Sequence, residues 1–512
     1  MNEQRESRNV TAPARDLAAD PFRVDRDRVA SSPYFSRLGG VTQVVSPGGS
    51  GLLLHNRLTH SLRVAQIARV IAERLCADES AAALAAQLGG CDPDVAEAAA
   101  LAHDLGHAPF GHLGEEVLDR MARDRFGLPD GFEGNAQSFR IITSIDTTGP
   151  IAAGLDLTAA TRAAVLKYPW SRRSDPQPHP STMRPLPRGA AAPDSAGSAK
   201  FGAYVTELED MRTARAPFAK LIEPWRQTVE ASVMDTADDI ANAINDVEDF
   251  YRIGVLQHTS VSAELSGWLS GAEQFAALPA EALEPPGVRP GSALEALRRR
   301  LHAKDSWAVD DEAFAAAVGR VRTELVDGLL TSPFDGSTGA EQAVARFFST
   351  WAARLVDGVR LVARPPVRSG HVLFDAEPWH EAQVLKFVHE RFVLRRADFA
   401  MHQRGQARLL TTLVEELTAW LTDRHEVDRL PARLRDLVEL AAGEYATIAK
   451  EAPELLMSTT RERSEVPGAV RELARGRAVL DYVASVTDSQ AVALLDAITG
   501  RTGTPWTETL VL

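Results

Sequence analysis

Within Leu101–Glu116 (LAHDLGHAPFGHLGEE) the chain sets three histidines, one aspartate and two glutamates among sixteen residues. Only 13 of its 512 residues are histidine, so composition alone would not produce this density. His103 and Asp104 are adjacent, which lets one segment present an imidazole nitrogen and a carboxylate oxygen to a single cation. His107 follows His103 by four residues and would project from the same face of a continuous helix. Gly106, Pro109 and Gly111 end that helix, and His112 and Glu115, three apart, share a face on the next. A lone histidine on an Ala/Leu-rich helix usually serves packing or solvation. Three of them with acids argue for a metal or acid/base site.

The elements that must position these residues follow from periodicity. RLTHSLRVAQIARVIAERLC, 57–76, reads as a helix with Leu62, Ala65, Ile67 or Ala68, and Ile71 or Leu75 inward, and with His60 near its start. An Ala-rich helix then delivers His103–Asp104. Residues 112–126 form an amphipathic helix with Leu113, Val117, Leu118 and Met121 inward. GLDLTAATRAAVLKYPW, 154–170, has Thr158 as its N-cap and stops at Pro169. A second dense stretch, TVEASVMDTADDIANAINDVEDFYRIG (228–254), carries Asp238, Asn242 and Asp246 at steps of four, beside the apolar row Val233, Ile240, Ile244 and Val247. A solvated acidic face is the ordinary reading of such a helix; a polar row interleaved with the apolar set points instead to a site.

The chain is expected to be all-α, with helices continuing through its second half and a short hairpin over VRLVARPPVRSGHVLF, 359–374. Its expected organisation is a disordered tail at 1–20, a core at 21–260 and a helical region at 261–512 packed on that core. A Pro/Ser/Ala-rich insertion at 171–199 interrupts the core, and His179 there is read as solvated. A net charge of -14 excludes a chain built mainly to coat nucleic acid, so an anionic ligand must be met by local cations or metal. The two cysteines, Cys76 and Cys91, cannot build a disulfide framework, and a cytoplasmic setting is expected. No run approaches the ~20 apolar residues of a membrane span, and MNEQRESRNVTAPARD has no signal-peptide core.

Collected, the candidate ligands are His60, His103, Asp104 and Asp238, each dense stretch supplying some of them. Two imidazoles and two carboxylates suit a borderline divalent ion such as Mn, Fe, Co or Zn. Such an ion polarises a phosphoryl oxygen or activates water. His112 and Glu115 would act beside it in proton transfer. Arg37, Arg57 and Lys167 could neutralise phosphate charge.

The order His … His-Asp … Asp resembles the signature of HD-domain phosphohydrolases. More narrowly, seven stretches resemble the bacterial deoxyguanosine triphosphate triphosphohydrolase (dGTPase) family. They are DRDRVASSPYFSRLGGVTQV, RLTHSLRVAQIAR, HDLGHAPFGHLGEEVL, GFEGNAQSFRI, GLDLTAATRAAVLKYPW, KFGAY and MDTADDIANAINDVEDF, dense over about 22–254. The resemblance implies an all-α HD fold and metal-dependent hydrolysis of a deoxynucleoside triphosphate (dGTP or several dNTPs) to deoxynucleoside and tripolyphosphate. It implies Mg, Mn, Fe or Co held by His60, His103, Asp104 and Asp238. It makes His112 and Glu115 the catalytic pair with His107 near the phosphates. Substrate contacts fall on Arg37, Gln43, Arg57, Lys167, Tyr168, Asn242 and Asp246. It further implies a homo-oligomer, hexamer or tetramer, and leaves room for an activating nucleotide. The chain departs from the family at Asn242, where Tyr is usual, and at Ser31, Ser36 and Val41, where His, Arg and Lys are usual. Another HD phosphohydrolase, acting on a different nucleotide or phosphoester, is the alternative. A merely nucleotide-binding module would not need His112 and Glu115.

Overall fold

The computed structural model describes residues 2–10, 20–44, 54–149, 154–173, 185–190, 197–283, 289–457 and 461–502. Helix Arg57–Ala77 starts where Asn56 and Thr59 satisfy each other's backbone N–H groups in a reciprocal capping box. It buries His60, Val64, Ala65, Ala68, Ile71, Ala72 and Leu75 along one side. Leu62, expected in that stripe, is instead 50% exposed, because the buried face runs through Ser61 and leaves its neighbour on the solvent side. Helix Pro93–Ala102, capped by Asp92 and begun by a proline, buries Val95, Ala96 and every residue from Ala98 to Ala102. Its alanines let neighbouring backbones approach closely, and its last turn hands the chain directly to His103.

Two compact units divide the chain. The first comprises Met1–Val45, Asn56–Met234 and His402–Leu512; the second comprises Ser46–His55 and Asp235–Met401. This differs from the expected linear division at 260, since residues 402–512 return to the first unit. Buried charge explains the return. Arg140, fully buried, pairs with Glu207 and donates from Nε to Asp481 at 2.9 Å, while Gln137 reaches the other Asp481 oxygen at 3.0 Å. Arg477 donates to the Gly131 carbonyl at 2.9 Å and stacks its guanidinium 3.8 Å from the Tyr204 ring centre. Removing one partner from such a buried pair costs roughly 3–5 kcal/mol, so the last helices cannot detach cheaply.

The expected tail also behaves otherwise in part. Residues 11–19 lie outside the described set, but Asn2–Arg5 is a helical turn, and Arg5 is buried against Glu230 and the Gly89 carbonyl. Arg8 donates to Asp25 at 2.7 Å. An apolar-pattern reading misses an anchor made of two arginines. Of the insertion at 171–199, residues 174–184, with His179, and 191–196 are outside the described residues.

In the second unit, strands Val359–Leu361 and Val372–Phe374 pair antiparallel, Arg360 opposite Leu373. This hairpin is the one sheet among the described residues, and helices account for most of the rest. The chain is all-α with a short hairpin, as expected. No described helix is long and apolar enough to cross a membrane.

Candidate active site

The helix that delivers His103 stops at Ala102, and residues 103–106 form a turn rather than a further helical turn. The expected shared helical face for His103 and His107 is therefore replaced by a reversal, in which His107 N–H bonds the Asp104 carbonyl at 3.1 Å. The rings converge all the same. His103 Nε2 lies 3.2 Å and His107 Nε2 lies 2.9 Å from the same Asp104 oxygen, Oδ1. The other oxygen, Oδ2, accepts from Arg57 at 2.8 Å.

His60, His103 and Asp104 offer ligand atoms that all lie within 4.8 Å of one another, and all three side chains are buried. The His60 and His103 ring centres are 5.7 Å apart. His103 Nδ1 sits 2.6 Å from the Ala100 carbonyl, which assigns the ring proton to Nδ1 and leaves Nε2 as the lone-pair nitrogen beside the carboxylate. Two buried imidazoles, one with its tautomer fixed by backbone, together with a carboxylate fit a divalent transition ion. Asp238, the fourth expected ligand, lies in the second unit, where its Oδ1 accepts from the Asn242 amide at 2.7 Å. Asp246, also there, faces His389 Nε2 at 3.2 Å.

Helix His112–Asp124 opens at Gly111, whose φ of +62° only glycine adopts freely, and any side chain there would press on Arg57. That entry turn sets His112 at the surface and Glu115 inside. Glu115 pairs through Oε1 with His107 Nδ1 and through Oε2 with His112 Nδ1 at 3.3 Å. His112 keeps 74% of its side chain exposed, whereas Glu115 and His107 are buried. Gly134 makes room, since a side chain there would collide with the Glu115 carboxylate.

Burial alone would push the Asp104 carboxyl up, but facing His103, His107 and Arg57 hold it well below the usual carboxylate range. Glu115 is likewise held low against burial by His107 and His112. Burial and Arg57 both oppose a charge on His107, yet Glu115 and Asp104 outweigh them and raise it. The result is a continuous line, Arg57–Asp104–His107–Glu115–His112, of alternating charge that ends in an exposed imidazole.

Other expected contacts take varied positions. Arg37 is engaged with backbone, donating to the carbonyls of Val486 (3.1 Å), Leu105 (3.0 Å) and His107, and burial pulls it down to about 10. Through these carbonyls it holds the His103–His107 turn in place. The Gln43 carbonyl lies beside Gly111. The Lys167 carbonyl accepts from Gln227 at 3.0 Å, and Tyr168 meets Trp170 edge-on at 5.5 Å. Lys200 was not singled out from the sequence, although KFGAY contains it. Its ammonium sits 2.9 Å from Glu133 and 3.6 Å from Glu115 Oε2, with about a third of the side chain exposed. The signal available was its place inside a stretch already recognised as shared.

Residues 57–139, which hold Arg57, His60, His103, Asp104, His107, His112 and Glu115, match the HD domain family. A deoxyguanosinetriphosphate triphosphohydrolase-like protein of Streptomyces coelicolor is 33% identical over 491 residues, 94% of this chain and 93% of the relative. Proteins of the same description from Corynebacterium efficiens (37% over 238 residues, 46% of each chain) and Bifidobacterium longum (35% over 253 residues, 49% of this chain and 46% of the relative) are also similar. With a relative matched along nearly its whole length and an HD domain over 57–139, the chain belongs to the deoxyguanosinetriphosphate triphosphohydrolase-like family of HD-domain phosphohydrolases.

Proposed function

We propose that the chain hydrolyses a deoxynucleoside triphosphate to deoxynucleoside and tripolyphosphate. The observation that carries the reading is the sharing of Asp104: one carboxylate joins the His60–His103 ligand group to the His107–Glu115–His112 line. Binding alone would not need a proton path beside a ligand cluster. His60, His103 and Asp104 would hold a divalent ion (Mg, Mn, Fe or Co). When bound, that ion supplies charge neutralisation at the phosphoryl oxygens.

The chain's own groups divide the remaining work. Lys200 and Lys167 meet phosphate charge in a protein whose net charge is -14, while Arg57 fixes the Asp104 carboxylate. Attack of water on the α-phosphorus forms a P–O bond and breaks the bond to the sugar O5′. Glu115 orients and accepts from the water; His112, exposed and hydrogen-bonded to it, delivers a proton to O5′ as it leaves. His107 keeps Glu115 ionised and correctly turned. Tyr168 and Gln43 are assigned to the nucleoside. A homo-oligomer, a cytoplasmic setting and an activating nucleotide belong to the same proposal.

Incubation with each of the four dNTPs and GTP, with Mg or Mn, tests it. Deoxynucleoside and tripolyphosphate should appear in equal amounts. Pyrophosphate or orthophosphate as the first product would assign the chain to another HD phosphohydrolase reaction.

A further inference from the structure

The only two cysteines in 512 residues, 15 positions apart in sequence, lie against each other in the first unit. Cys76 stands one residue before the end of helix Arg57–Ala77 and is exposed. Cys91 is half-buried in the connection that leads into helix Pro93–Ala102. The Cys76 thiol lies 3.4 Å from the carbonyl oxygen of Cys91. Chance would seldom bring the two cysteines of so long a chain together, and burial of an apolar thiol pair does not explain it, because Cys76 faces water.

We propose that Cys76 and Cys91 form a reversible oxidation site, in which a hydroperoxide converts the two thiols into an intramolecular disulfide. The division of labour follows from exposure and from hydrogen bonding. While the Cys76 thiol itself donates to the Cys91 carbonyl at 3.4 Å, the neighbouring Cys91 thiol holds Cys76 below the ordinary thiol value. The same contact, with burial, raises Cys91 well above the ordinary thiol value. Cys76 is therefore the attacking sulfur and Cys91 the resolving one. The Cys76 thiolate attacks the peroxide, an S–O bond forms, the O–O bond breaks, and water or an alcohol leaves after taking a solvent proton. The Cys91 sulfur then attacks the sulfenic sulfur. An S–S bond forms, the S–O bond breaks, and hydroxide leaves as water with the Cys91 proton. Two thiols are oxidised and one hydroperoxide is reduced.

The bond would tie the end of the helix that carries His60 to the start of the helix that ends at Ala102, just before His103. Sixteen residues of helix separate Cys76 from His60, about 24 Å. Oxidation thus staples the ligand-bearing helix pair at its far end without touching the ligands. It restrains opening of that pair rather than altering the chemistry.

Full-length folded protein is treated with hydrogen peroxide at neutral pH, blocked with a maleimide, and weighed intact and after digestion. The expected result is loss of two hydrogens, no maleimide adduct, a single cross-linked peptide joining 76 to 91, and full reversal by a dithiol. The folded protein should oxidise at least about tenfold faster than urea-unfolded protein, since the pair is already in place. C91S should instead trap a sulfenic acid at Cys76, captured by dimedone. The oxidised wild type should melt several degrees higher than the reduced. Two persistent maleimide adducts, intermolecular dimers alone, or equal rates in folded and unfolded protein would overturn the proposal, and none of these readouts depends on whether C91S folds.

Discussion

Two groups of histidines in the molecule behave in opposite ways. In the first unit His103 and His107 crowd one Asp104 oxygen, and His107 pairs again with Glu115. In the second unit His302 and His380 meet Nε2 to Nε2 at 3.2 Å, between helices Ser292–Lys304 and Ala376–His389. The His380 ring centre lies 5.5 Å from Phe314 and 5.0 Å from Trp379, and its Nδ1 donates to the Ala376 carbonyl at 2.8 Å. Burial pulls His380 down to about 4, whereas His107, also buried, is raised. Desolvation penalises the imidazolium in both; only facing carboxylates reverse it. Asp311, 3.5 Å from His302 Nδ1, does not offset burial and Arg298, and His302 is lowered too. The second group is a neutral hydrogen-bonded chain that pins helices together. Histidine density marks chemistry only where acids share the space.

The sharpest way to break this contrast is to remove the acid. Asp104→Asn keeps the shape but loses the charge that His103, His107 and Arg57 all face. Purified variant should retain less than about a tenth of the wild-type divalent metal and no measurable turnover, with its helical circular dichroism intact. Wild-type metal content and activity would sink the assignment. Glu115→Gln comes next in size. It should keep metal and nucleotide binding while turnover falls about 10²-fold or more, because an amide cannot accept the proton or hold His107 charged. Loss of nucleotide binding with unchanged turnover of bound substrate would make Glu115 a binding residue.

Much of this site was legible because its signals are local. Leu101–Glu116 carries its own histidines, acids and helix breakers, so spacing alone identified the cluster, although it missed that the chain turns after Ala102. Thr158 as an N-cap and the 359–374 hairpin were legible for the same reason. What escaped depends on partners far along the chain. Arg37 looked like a phosphate cation, yet Val486, Leu105 and His107 carbonyls surround it. Leu62 looked like core, but which side a helix buries is decided by its neighbours. The return of residues 402–512 rests on Arg140 and Asp481, 341 positions apart, which no periodicity reveals. Asn242, a departure from the family's usual Tyr, gains a physical role only when its amide is seen on Asp238.

The smallest effect belongs to the apolar group, and it is one of pH. Unfolded, His380 would titrate near the ordinary value of about 6.5; folded, it titrates at about 4. Between those values the unfolded chain binds a proton that the folded protein refuses. Stability is therefore full above the unfolded value, falls as the pH drops towards 4, and gains no further slope from this group below that. A fully shielded shift of this size would correspond to about 3 kcal/mol, and solvent screening reduces the expectation to about 1–2 kcal/mol. His380→Phe places an apolar ring among Phe314 and Trp379, where the imidazole already packs. It forfeits the bond to Ala376 and leaves His302 with one acceptor fewer, so stability at neutral pH should fall by roughly 1 kcal/mol. Urea unfolding at neutral and mildly acidic pH measures both effects together. The variant should begin slightly less stable but lose about 1–2 kcal/mol less than wild type on acidification, with turnover at neutral pH unchanged. Identical acid losses in the two proteins would mean that His380 titrates normally despite its burial, and the contrast between a desolvated and an acid-paired histidine would fail.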